Sequence, residues 1–424
     1  MNELRLYNTA TDEKQKFQPR QPGHVKLFTC GPSVYRFPHL GNYRTYLYED
    51  VLQKYLEYKD YTVQRVINYT DVEDKSIELA LSQGVTVRQL CQPVEERFVR
   101  ECGLLNIDLP DEIPRASTSV EAAVDLIESL LESGHAYWHE GEVFFDPLTY
   151  KGFGRLYGLD MSNWPDKKIR FRQDTYPGTR WNRGDFILWH KPKKKEGNVW
   201  WETRIGKGRP AWNIQDAAMI KKTLGFEIDI HTGGFDNLYR HHDYTLAIME
   251  SASGKAFCPW WLHGGELLVD GEKMSKSKGN VAYLDDMVEK GFDYRHIRFF
   301  LLYAPYREKL DMCMPCVEER AGHLDRVRRL VCSLFEKETS GADEIDFDPA
   351  REIRDAFEEK MDDNLNVAAA FDAVADILMR AEHVDHENGL PAPTRRELHS
   401  VLNDIDRVFA VLGCDADSEK GQQI

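Results

Sequence analysis

Apolar residues in the first third of the chain alternate between short strand-like runs and a helical stripe. The run Val25 to Cys30 is apolar and is followed by Gly31 and Pro32, which predicts a strand that ends in a turn. Between Tyr43 and Tyr58 the apolar side chains recur at helical spacing, and Tyr61 to Thr70 is a second, β-branched strand. A strand, a helix and a strand in succession predict a βαβ unit, and therefore a parallel sheet.

The hydrophobic pattern changes twice farther along the chain. Two helices are predicted near residues 74–83 and 86–105, and a turn-rich middle from about residue 112 to 209 has one helix, 119–133, and two short strand-like runs. The middle part therefore reads as an insertion, because the sheet pattern returns at Phe226 to Gly234 and at WWLHGGELLVDG. Beyond Cys313 three amphipathic helical stretches follow, the second running without a break from Arg351 to Glu382.

Composition narrows the class of protein. Hydrophobic residues make up 42% and charged residues 30% of 424 residues, and no window approaches eighteen consecutive apolar residues, so we predict a cytoplasmic protein that does not enter a membrane. The net charge of −16 argues against a general nucleic-acid coat, although a local basic face such as Lys191–Lys195 is sufficient for RNA. Eight scattered cysteines favour thiols over a disulfide scaffold, and the pair Cys313 and Cys316 is only a weak metal or redox signal.

The first chemical motif is Pro38-His39-Leu40-Gly41-Asn42, between the first strand and the first helix. Free backbone N–H groups and the helix dipole make such a helix start a phosphate site. His39 can donate a hydrogen bond to a phosphate, and Gly41 lets a nucleotide approach the backbone. Taken alone the motif is weak, because a solvent-facing histidine at a helix start is common.

The second motif is Lys273-Met274-Ser275-Lys276-Ser277, in the glycine-bearing context DGEKMSKSKGN. Two lysines three residues apart on a loop suit a triphosphate, because their charges are most useful when negative charge concentrates on departing pyrophosphate. A solvated lysine loop would explain KxxK alone, but it explains little of the complete five-residue string.

The two motifs together resemble the signatures of class I aminoacyl-tRNA synthetases, and the surrounding sequence is similar to the cysteinyl-tRNA synthetase family. The likeness is collinear from about residue 4 to 412. The stretches that carry it are LYNT at 6–9, TCGPSVYRFPHLGNYRTYLYED at 29–50, NYTDVEDK at 68–75, DFILW at 185–189, GRPAWNIQDAAM at 208–219, DIHTGGFDNLYRHH at 229–242, LLYAPYREKLDM at 301–312 and MDDNLN at 361–366.

The resemblance implies an α/β fold with a Rossmann-like parallel sheet. Residues 1–111 and 210–312 would form the two halves of a nucleotide-binding catalytic domain, 112–209 an inserted connective subdomain, and 313–424 an α-helical C-terminal domain. It also implies an enzyme that activates an amino acid, by family default cysteine, with ATP and Mg²⁺, and passes it from aminoacyl-AMP to the 3′ end of tRNA(Cys).

The same resemblance implies roles for individual residues. Those implied to bind ATP are Gly31, His39, Gly41, Asn42, Lys273, Ser275 and Lys276, and His39, Asn42, Lys273 and Lys276 among them would be catalytic. Those implied to surround the amino acid are Cys30, Thr70, Trp212, Asp216, Asp236 and His241, with Asp236 pairing with the α-ammonium group.

The family's zinc site is altered in this chain. The family holds Zn²⁺ with two cysteines, a histidine and a glutamate, and that ion binds the substrate thiolate. Here Cys30 and His241 match two ligands, whereas Asp216 stands at the second cysteine position and Thr245 at the glutamate position. Three interpretations remain open: a mixed Cys30/Asp216/His241 site, a lost metal whose residues hydrogen-bond a different substrate, or a site in which His242 or Asp243 substitutes.

The acceptor is a further open point. The chain stops about ten residues after the last helix, where the tRNA-charging enzymes of the family continue into another small domain. A shorter paralogue similar to mycothiol cysteine ligase, which would transfer to a small amine or carrier protein, is therefore an alternative, although mycothiol ligases keep the zinc cysteines. A catalytically degenerate regulatory or RNA-binding relative is a third, against which the intact His39, Gly41, Lys273 and Lys276 argue.

Overall fold

A computed structural model describes residues 3–161, 184–193, 196–274, 278–336 and 346–413. The strands in these ranges are β1 (Arg5–Asn8), β2 (Glu13–Lys16), β3 (His24–Thr29), β4 (Thr62–Ile67), β5 (Ala136–His139), β6 (Glu142–Phe145), β7 (Phe186–His190), β8 (Trp201–Thr203), β9 (Gly206–Pro210), β10 (Ile230–Gly234), β11 (Trp260–Gly264), β12 (Leu267–Val269), β13 (Glu272–Lys273) and β14 (Leu310–Met312). The α-helices are α1 (Leu40–Tyr58), α2 (Asp74–Gln83), α3 (Val87–Leu104), α4 (Val120–Glu132), α5 (Trp212–Thr223), α6 (Asp243–Ser253), α7 (Leu284–Glu289), α8 (Tyr294–Leu302), α9 (Met314–Glu336), α10 (Pro349–Asp362), α11 (Val367–Asn388) and α12 (Ala392–Phe409).

Four parallel strands in the order β11-β10-β3-β4 form the central sheet. The succession β3, α1, β4 is the predicted βαβ unit, and the prediction of a Rossmann-like parallel sheet is confirmed. The chain builds the sheet in one direction from β3 to β4 and then in the other from β3 to β10 and β11. The connections therefore diverge between the carboxyl ends of β3 and β10, which is where sheets of this kind bind ligands.

The sheet is covered on both faces, because alternate residues of its strands belong to different cores. Val25 and Leu27 of β3 pack with α1 and the C-terminal helices, whereas Phe28 packs with α4, α5 and α6. Side chains of successive strand residues point to opposite faces. Burial on both sides explains why the strands read as apolar runs and not as alternating ones.

The middle of the chain forms a separate antiparallel sheet between β4 and β10. Its strands lie in the order β5-β6-β7-β9-β8, with α4 beside it. Phe145 and Phe186 stack with ring centroids 4.8 Å apart, and Phe186 stacks on Tyr244 of α6 at 3.9 Å. These contacts attach the inserted sheet to the helix layer of the central domain.

A buried arginine connects α1 to the region of the Lys273 motif. Arg44 donates hydrogen bonds to the backbone carbonyls of four residues on the far side of the cleft: Gly265 at 3.3 Å, Leu301 at 2.9 Å, Pro305 at 3.2 Å and Glu308 at 2.7 Å. The hairpin β12–β13 begins two residues after Gly265, and β12 also pairs with β14. Arg44 therefore fixes the base of the hairpin against the helix that carries His39.

The C-terminal helices correct one prediction. The unbroken helix expected from residue 351 to 382 is interrupted between α10 and α11, where Asn364 and Leu365 have φ values of 65° and 54°. Asparagine tolerates this left-handed region because its side chain hydrogen-bonds locally. The Asn364 side chain accepts a hydrogen bond from the backbone N–H of Tyr7 at 2.8 Å, and Asn366 caps α11. The segment MDDNLN thus joins the helical domain to β1.

The expectation of reduced cysteines is wrong for one pair. Cys313 and Cys316 form a disulfide, because the start of α9 brings their Cα atoms to 5.2 Å, within the range that a disulfide spans. Cys30, Cys91, Cys102, Cys258 and Cys332 are free thiols. Within the described ranges, none of the helices has both the length and the apolar character needed to span a bilayer.

Candidate functional site

The two sequence motifs meet at one cavity, at the point where the sheet reverses its chain order. The cavity has a volume of about 370 Å³. Residues of the segment after β3, the start of α1, the turn after β10 and the hairpin all line it, among them Cys30, Gly31, His39, Asn42, Asp236 and Met274. A single space therefore adjoins the start of α1, the hairpin motif and the exit of β10.

The start of α1 forms one end of this cavity. His39 precedes the first helical residue, and its backbone N–H donates to Oδ1 of Asn42 at 3.0 Å, which fixes the turn. In the first helical turn the N–H of Leu40 donates to the carbonyl of Ala282 at 2.9 Å, and that of Asn42 donates to the carbonyl of His39 at 2.8 Å, while the helix dipole adds partial positive charge there. This end is suited to an anion such as a phosphate.

Gly41 is required by a close approach of the two motifs. A Cβ atom at this position would lie 2.8 Å from the terminal methyl carbon of Met274 and 3.1 Å from the ring of His39. Any side chain would displace one of these two groups. The absence of a Cβ thus lets the side chain of Met274 lie directly on the start of α1.

The lysines of the second motif are only partly described. Lys273 lies at the end of β13 with a largely exposed side chain and forms an ion pair with Glu266. The hydrogen bond to Glu266 raises the pKa of Lys273, so its ammonium group is charged at neutral pH. Ser275 and Lys276, which were predicted to bind ATP with it, lie outside the described residues.

Buried side chains from separate segments converge at the base of the cavity. The Cys30 thiol donates to Oδ2 of Asp216 at 3.4 Å and lies 3.2 Å from Nε2 of His242. The same Asp216 oxygen lies 2.7 Å from Nε2 of His241. Cys30 follows β3, Asp216 lies on α5, and the two histidines precede α6, so only the fold brings them together.

The electrostatics of this cluster follow from burial and from Asp216. Burial, reinforced by the charge of Asp216, raises the pKa of Cys30 well above its ordinary value. Burial also opposes ionisation of Asp216, but neighbouring His241 outweighs it, so the pKa of Asp216 is lowered. Burial lowers the pKa of His242 well below its ordinary value, which leaves its imidazole neutral.

The remaining residues predicted to surround the amino acid lie around this cluster. The ring of Trp212 stacks on His241 with centroids 4.3 Å apart and an angle of 13° between the planes. Thr70 is buried beside the segment after β3, and its N–H donates to the carbonyl of Pro32 at 3.2 Å. Asp236 is exposed at the cavity, where a Cβ on Gly234 would lie 2.5 Å from its carboxylate.

The sequence analysis missed three polar residues that support the cluster. Asn68 donates to Oδ1 of Asp216 at 3.0 Å and accepts from the N–H of Gly31 at 2.9 Å. His263 lies 2.7 Å from His242, and the ring of His231 lies 4.5 Å from that of His242. The signal was a histidine within each of the apolar strands β10 and β11, because a buried polar residue in such a strand needs hydrogen-bond partners.

The donor set at the base of the cavity fits Zn²⁺, since thiolate sulfur, imidazole nitrogen and carboxylate oxygen are its usual ligands. One ligand atom each of Cys30, His241 and His242 lies within 4.8 Å of the others. The aligned Thr245 is not directed there, because its hydroxyl donates to the carbonyl of His241 at 3.0 Å.

The carboxylate of Asp243 is also directed elsewhere. It accepts hydrogen bonds from the backbone N–H groups of Leu156 and Tyr157, each at 3.1 Å. Asp243 therefore attaches the inserted region to α6, and of the two substitutes considered from sequence His242 is the one whose ring nitrogen faces Cys30.

Comparison with known proteins gives consistent results at the level of sequence. Residues 16–321 match the family model described as the catalytic domain of class I (C) tRNA synthetases. The chain is 33% identical over 418 residues to a cysteine–tRNA ligase of Brachyspira hyodysenteriae, covering 98% of this chain and 87% of the relative. A cysteine–tRNA ligase of Bacillus velezensis is 34% identical over 423 residues, covering 98% and 88%.

Comparison of structures supports the fold. A Mycobacterium tuberculosis methionyl-tRNA synthetase bound by methionyl-adenylate superimposes with a TM-score of 0.65 at 16% identity, over 92% of this chain and 91% of that one. An Agrobacterium radiobacter leucyl-tRNA synthetase, solved in a ternary complex with tRNA, gives a TM-score of 0.64 at 11% identity. At these identities the likeness concerns the chain fold.

Proposed function

Since this chain belongs to the cysteine-type family of class I tRNA synthetases, we propose that it activates an amino acid with ATP and transfers it to tRNA. The amino acid is cysteine, and the acceptor is the 3′ end of tRNA(Cys). The observation that carries the proposal is the single cavity of about 370 Å³ that adjoins both His39 at the start of α1 and Met274 of the KMSKS segment.

The nucleotide occupies the end of the cavity next to α1. Its phosphates lie at the helix start, where the helix dipole and the side chains of His39 and Asn42 receive them. Lys273 approaches from the hairpin on the other side, with Lys276 of the same motif. Attack of the amino-acid carboxylate on the α-phosphorus expels pyrophosphate with its Mg²⁺, and these cations stabilise the charge that develops there.

The amino acid occupies the end next to β10. Asp236 stands at the cavity and pairs with the α-ammonium group, while Trp212 and His241 form a stacked wall. Together they orient the carboxylate toward the nucleotide, so that catalysis comes from positioning and not from a covalent enzyme intermediate. A zinc ion held at the base would, when bound, take the substrate thiolate as an additional ligand beside its protein ligands and so distinguish cysteine from serine.

Pyrophosphate exchange into ATP, measured with each of the twenty amino acids, tests the first half-reaction. We expect exchange that depends on cysteine, followed by charging of a tRNA pool from the same preparation. Exchange without charging would instead support transfer to a small amine or carrier protein. Absence of exchange with every amino acid would contradict the proposal and favour a regulatory or RNA-binding relative.

A further inference from the structure

We propose that the base of the cavity is a zinc site whose protein ligands are Cys30, Asp216, His241 and His242, with His242 in the role that Thr245 cannot fill. The inference deepens the proposed function, on which it rests for the location of the amino-acid pocket. It concerns the ligands of this particular chain, in which two of the family's four positions carry other residues.

The spacing of the donor atoms supports this set. Tetrahedral zinc with bonds of about 2.0–2.3 Å places neighbouring ligand atoms roughly 3.2–3.7 Å apart. Cys30 Sγ lies 3.2 Å from Nε2 of His242 and 3.4 Å from Oδ2 of Asp216. One ring nitrogen of His241 lies within 4.8 Å of the donor atoms of Cys30 and His242, and Asp216 joins this group through Cys30 and through Nε2 of His241 at 2.7 Å.

The orientation of the His242 ring is fixed by a contact of its Nδ1, the ring nitrogen that does not face Cys30. Its Nδ1 lies 2.7 Å from Nε2 of His263, and Nδ1 of His263 lies 2.9 Å from the hydroxyl of Thr9. Two opposite sets of tautomers satisfy both contacts, and in the set that suits a metal ion Thr9 accepts from His263 and His263 accepts from Nδ1–H of His242. The Nε2 lone pair of His242 is then left facing Cys30, which is the usual arrangement of a metal-binding histidine.

The carboxylate ligand is held in the same manner. Asn68 donates to Oδ1 of Asp216 at 3.0 Å, which leaves Oδ2 toward Cys30 and His241. The ring of His241 is held by stacking on Trp212. Three of the four proposed ligands thus have a supporting contact on the side away from the centre, as outer-shell residues of metal sites provide.

Charge balance favours the proposed set. The cluster is buried, with Cys30 7%, Asp216 2%, His241 6% and His242 0% exposed. A thiolate and a carboxylate neutralise the two positive charges of Zn²⁺, and two neutral imidazoles complete the set without adding charge. Uncompensated charge at such a depth would be costly. Replacement of an anionic glutamate by Thr245 is therefore compatible with a buried ion once His242 is a ligand.

Zinc content and X-ray absorption of the purified full chain test the inference. After chelation and re-addition of ZnSO₄, we expect one equivalent of zinc, and an absorption spectrum with one sulfur, two imidazoles and one oxygen. His242→Gln should weaken zinc binding by more than the roughly 10–100-fold typical of outer-shell changes. The matched controls are Thr245→Val, which keeps the shape of that side chain, and His231→Gln in the same buried cluster, and both should retain zinc.

The proposed ligand set would be overturned by any of three results: wild-type protein without stoichiometric zinc, an absorption spectrum with one imidazole, or an unchanged affinity of His242→Gln for zinc. Should His242→Gln fail to fold, the wild-type spectrum still decides the number of imidazoles. Pyrophosphate exchange on the same preparations separates the two proposals. Cysteine-dependent exchange by protein that binds no zinc would contradict the zinc site but support the proposed function. A zinc spectrum with two imidazoles in protein that shows no exchange would contradict the proposed function but support the zinc site.

Discussion

The two ends of the cavity are built in different ways. The end beside α1, where we propose that the nucleotide binds, is lined by the helix start at 38–42 and by Met274 after the hairpin, each a short local segment. The other end, where we propose that the amino acid binds, is built over buried side chains from separate parts of the chain, including Cys30, Asp216 and His242. The first depends on local backbone geometry, and the second depends on the whole fold.

This difference corresponds to what each end has to recognise. Phosphates are bound by backbone N–H groups and by the cationic side chains of lysine and arginine, so one short stretch of sequence is sufficient to form such a site. A side chain is selected by buried polar groups, which are costly unless every partner is satisfied. A change at one position, such as Thr245 or Asp216, therefore requires a response from its neighbours.

The largest effect is expected at the nucleotide end. Lys273→Ala should lower the rate of pyrophosphate exchange about 100–1,000-fold, because a charge directed at the departing pyrophosphate is lost. The KM for the amino acid should change little, since that site is built separately. Steady-state exchange kinetics with varied ATP and amino acid measure both quantities.

Lys309→Ala is a closely matched control for that variant. Lys309 pairs with the same carboxylate, Glu266, and its side chain is 65% exposed, as is that of Lys273. It should leave exchange near the wild-type rate. Equal losses in the two variants would mean that general electrostatics around Glu266, and not a specific contact of Lys273, determine the effect.

The same contrast explains what could be predicted from sequence. The parallel sheet and the inserted region follow from periodicity, and the resemblance to a known family implied that the His39 and Lys273 segments converge. The break at Asn364 was missed because it depends on contacts with Tyr7, and the disulfide between Cys313 and Cys316 depends on the start of α9. The resemblance grouped Cys30 and His241 with Asp216, but the contact of Asp216 with Asn68 was missed, because no pattern along the chain records which buried groups meet.

A second variant tests the hydrogen bonds of Arg44, which connect α1 to the base of the hairpin β12–β13. Arg44→Met should destabilise the protein by about 2–4 kcal/mol, because several buried carbonyls lose their charged donor. Burial lowers the pKa of Arg44 to about 10, which is still well above neutral pH, so the donor is charged in the folded protein. Urea unfolding measures the change.

Arg351→Met serves as the control for Arg44→Met, because its side chain is 77% exposed and its ion pair, among the residues that the structure describes, is with the similarly exposed Asp355. It should shift stability by less than about 0.5 kcal/mol. Identical unfolding midpoints for wild type and Arg44→Met would show that the hairpin base is held by other contacts.

A buried acid between α1 and β10 gives the stability of the protein a dependence on pH. Glu49 on α1 accepts a hydrogen bond from Thr232 of β10 at 2.7 Å, and burial raises its pKa from 4.5 to about 8 despite the nearby Arg65. The folded state therefore keeps a proton that the unfolded state releases. The stabilisation is complete below about pH 4.5 and is lost as the pH rises to about 8.

Glu49→Gln should flatten that slope, which from one group is at most about 1.4 kcal/mol per pH unit. Urea unfolding of both proteins across the same pH window measures it, with Glu57→Gln, on the exposed side of α1, as the control. Parallel stability profiles for wild type and Glu49→Gln would contradict a protonated Glu49 in the folded protein.

The smallest effect is expected from Trp212, which lies at the proposed amino-acid end but is not one of the proposed zinc ligands. Trp212 stacks on His241, so Trp212→Ala should raise the KM for the amino acid about threefold to tenfold, in line with the roughly 0.5–1.5 kcal/mol of such ring contacts. The KM for ATP should stay within about twofold of the wild-type value. As the control, Trp138→Ala changes an exposed residue of the inserted sheet, and it should leave the KM values for both substrates within about twofold. Exchange kinetics with one substrate varied at a time separate the two constants. The two ends share one cavity but are built from different elements. An equal rise in both KM values would therefore show that Trp212 acts on the shape of the whole cavity. In that case the two substrates would not be bound by separately built ends.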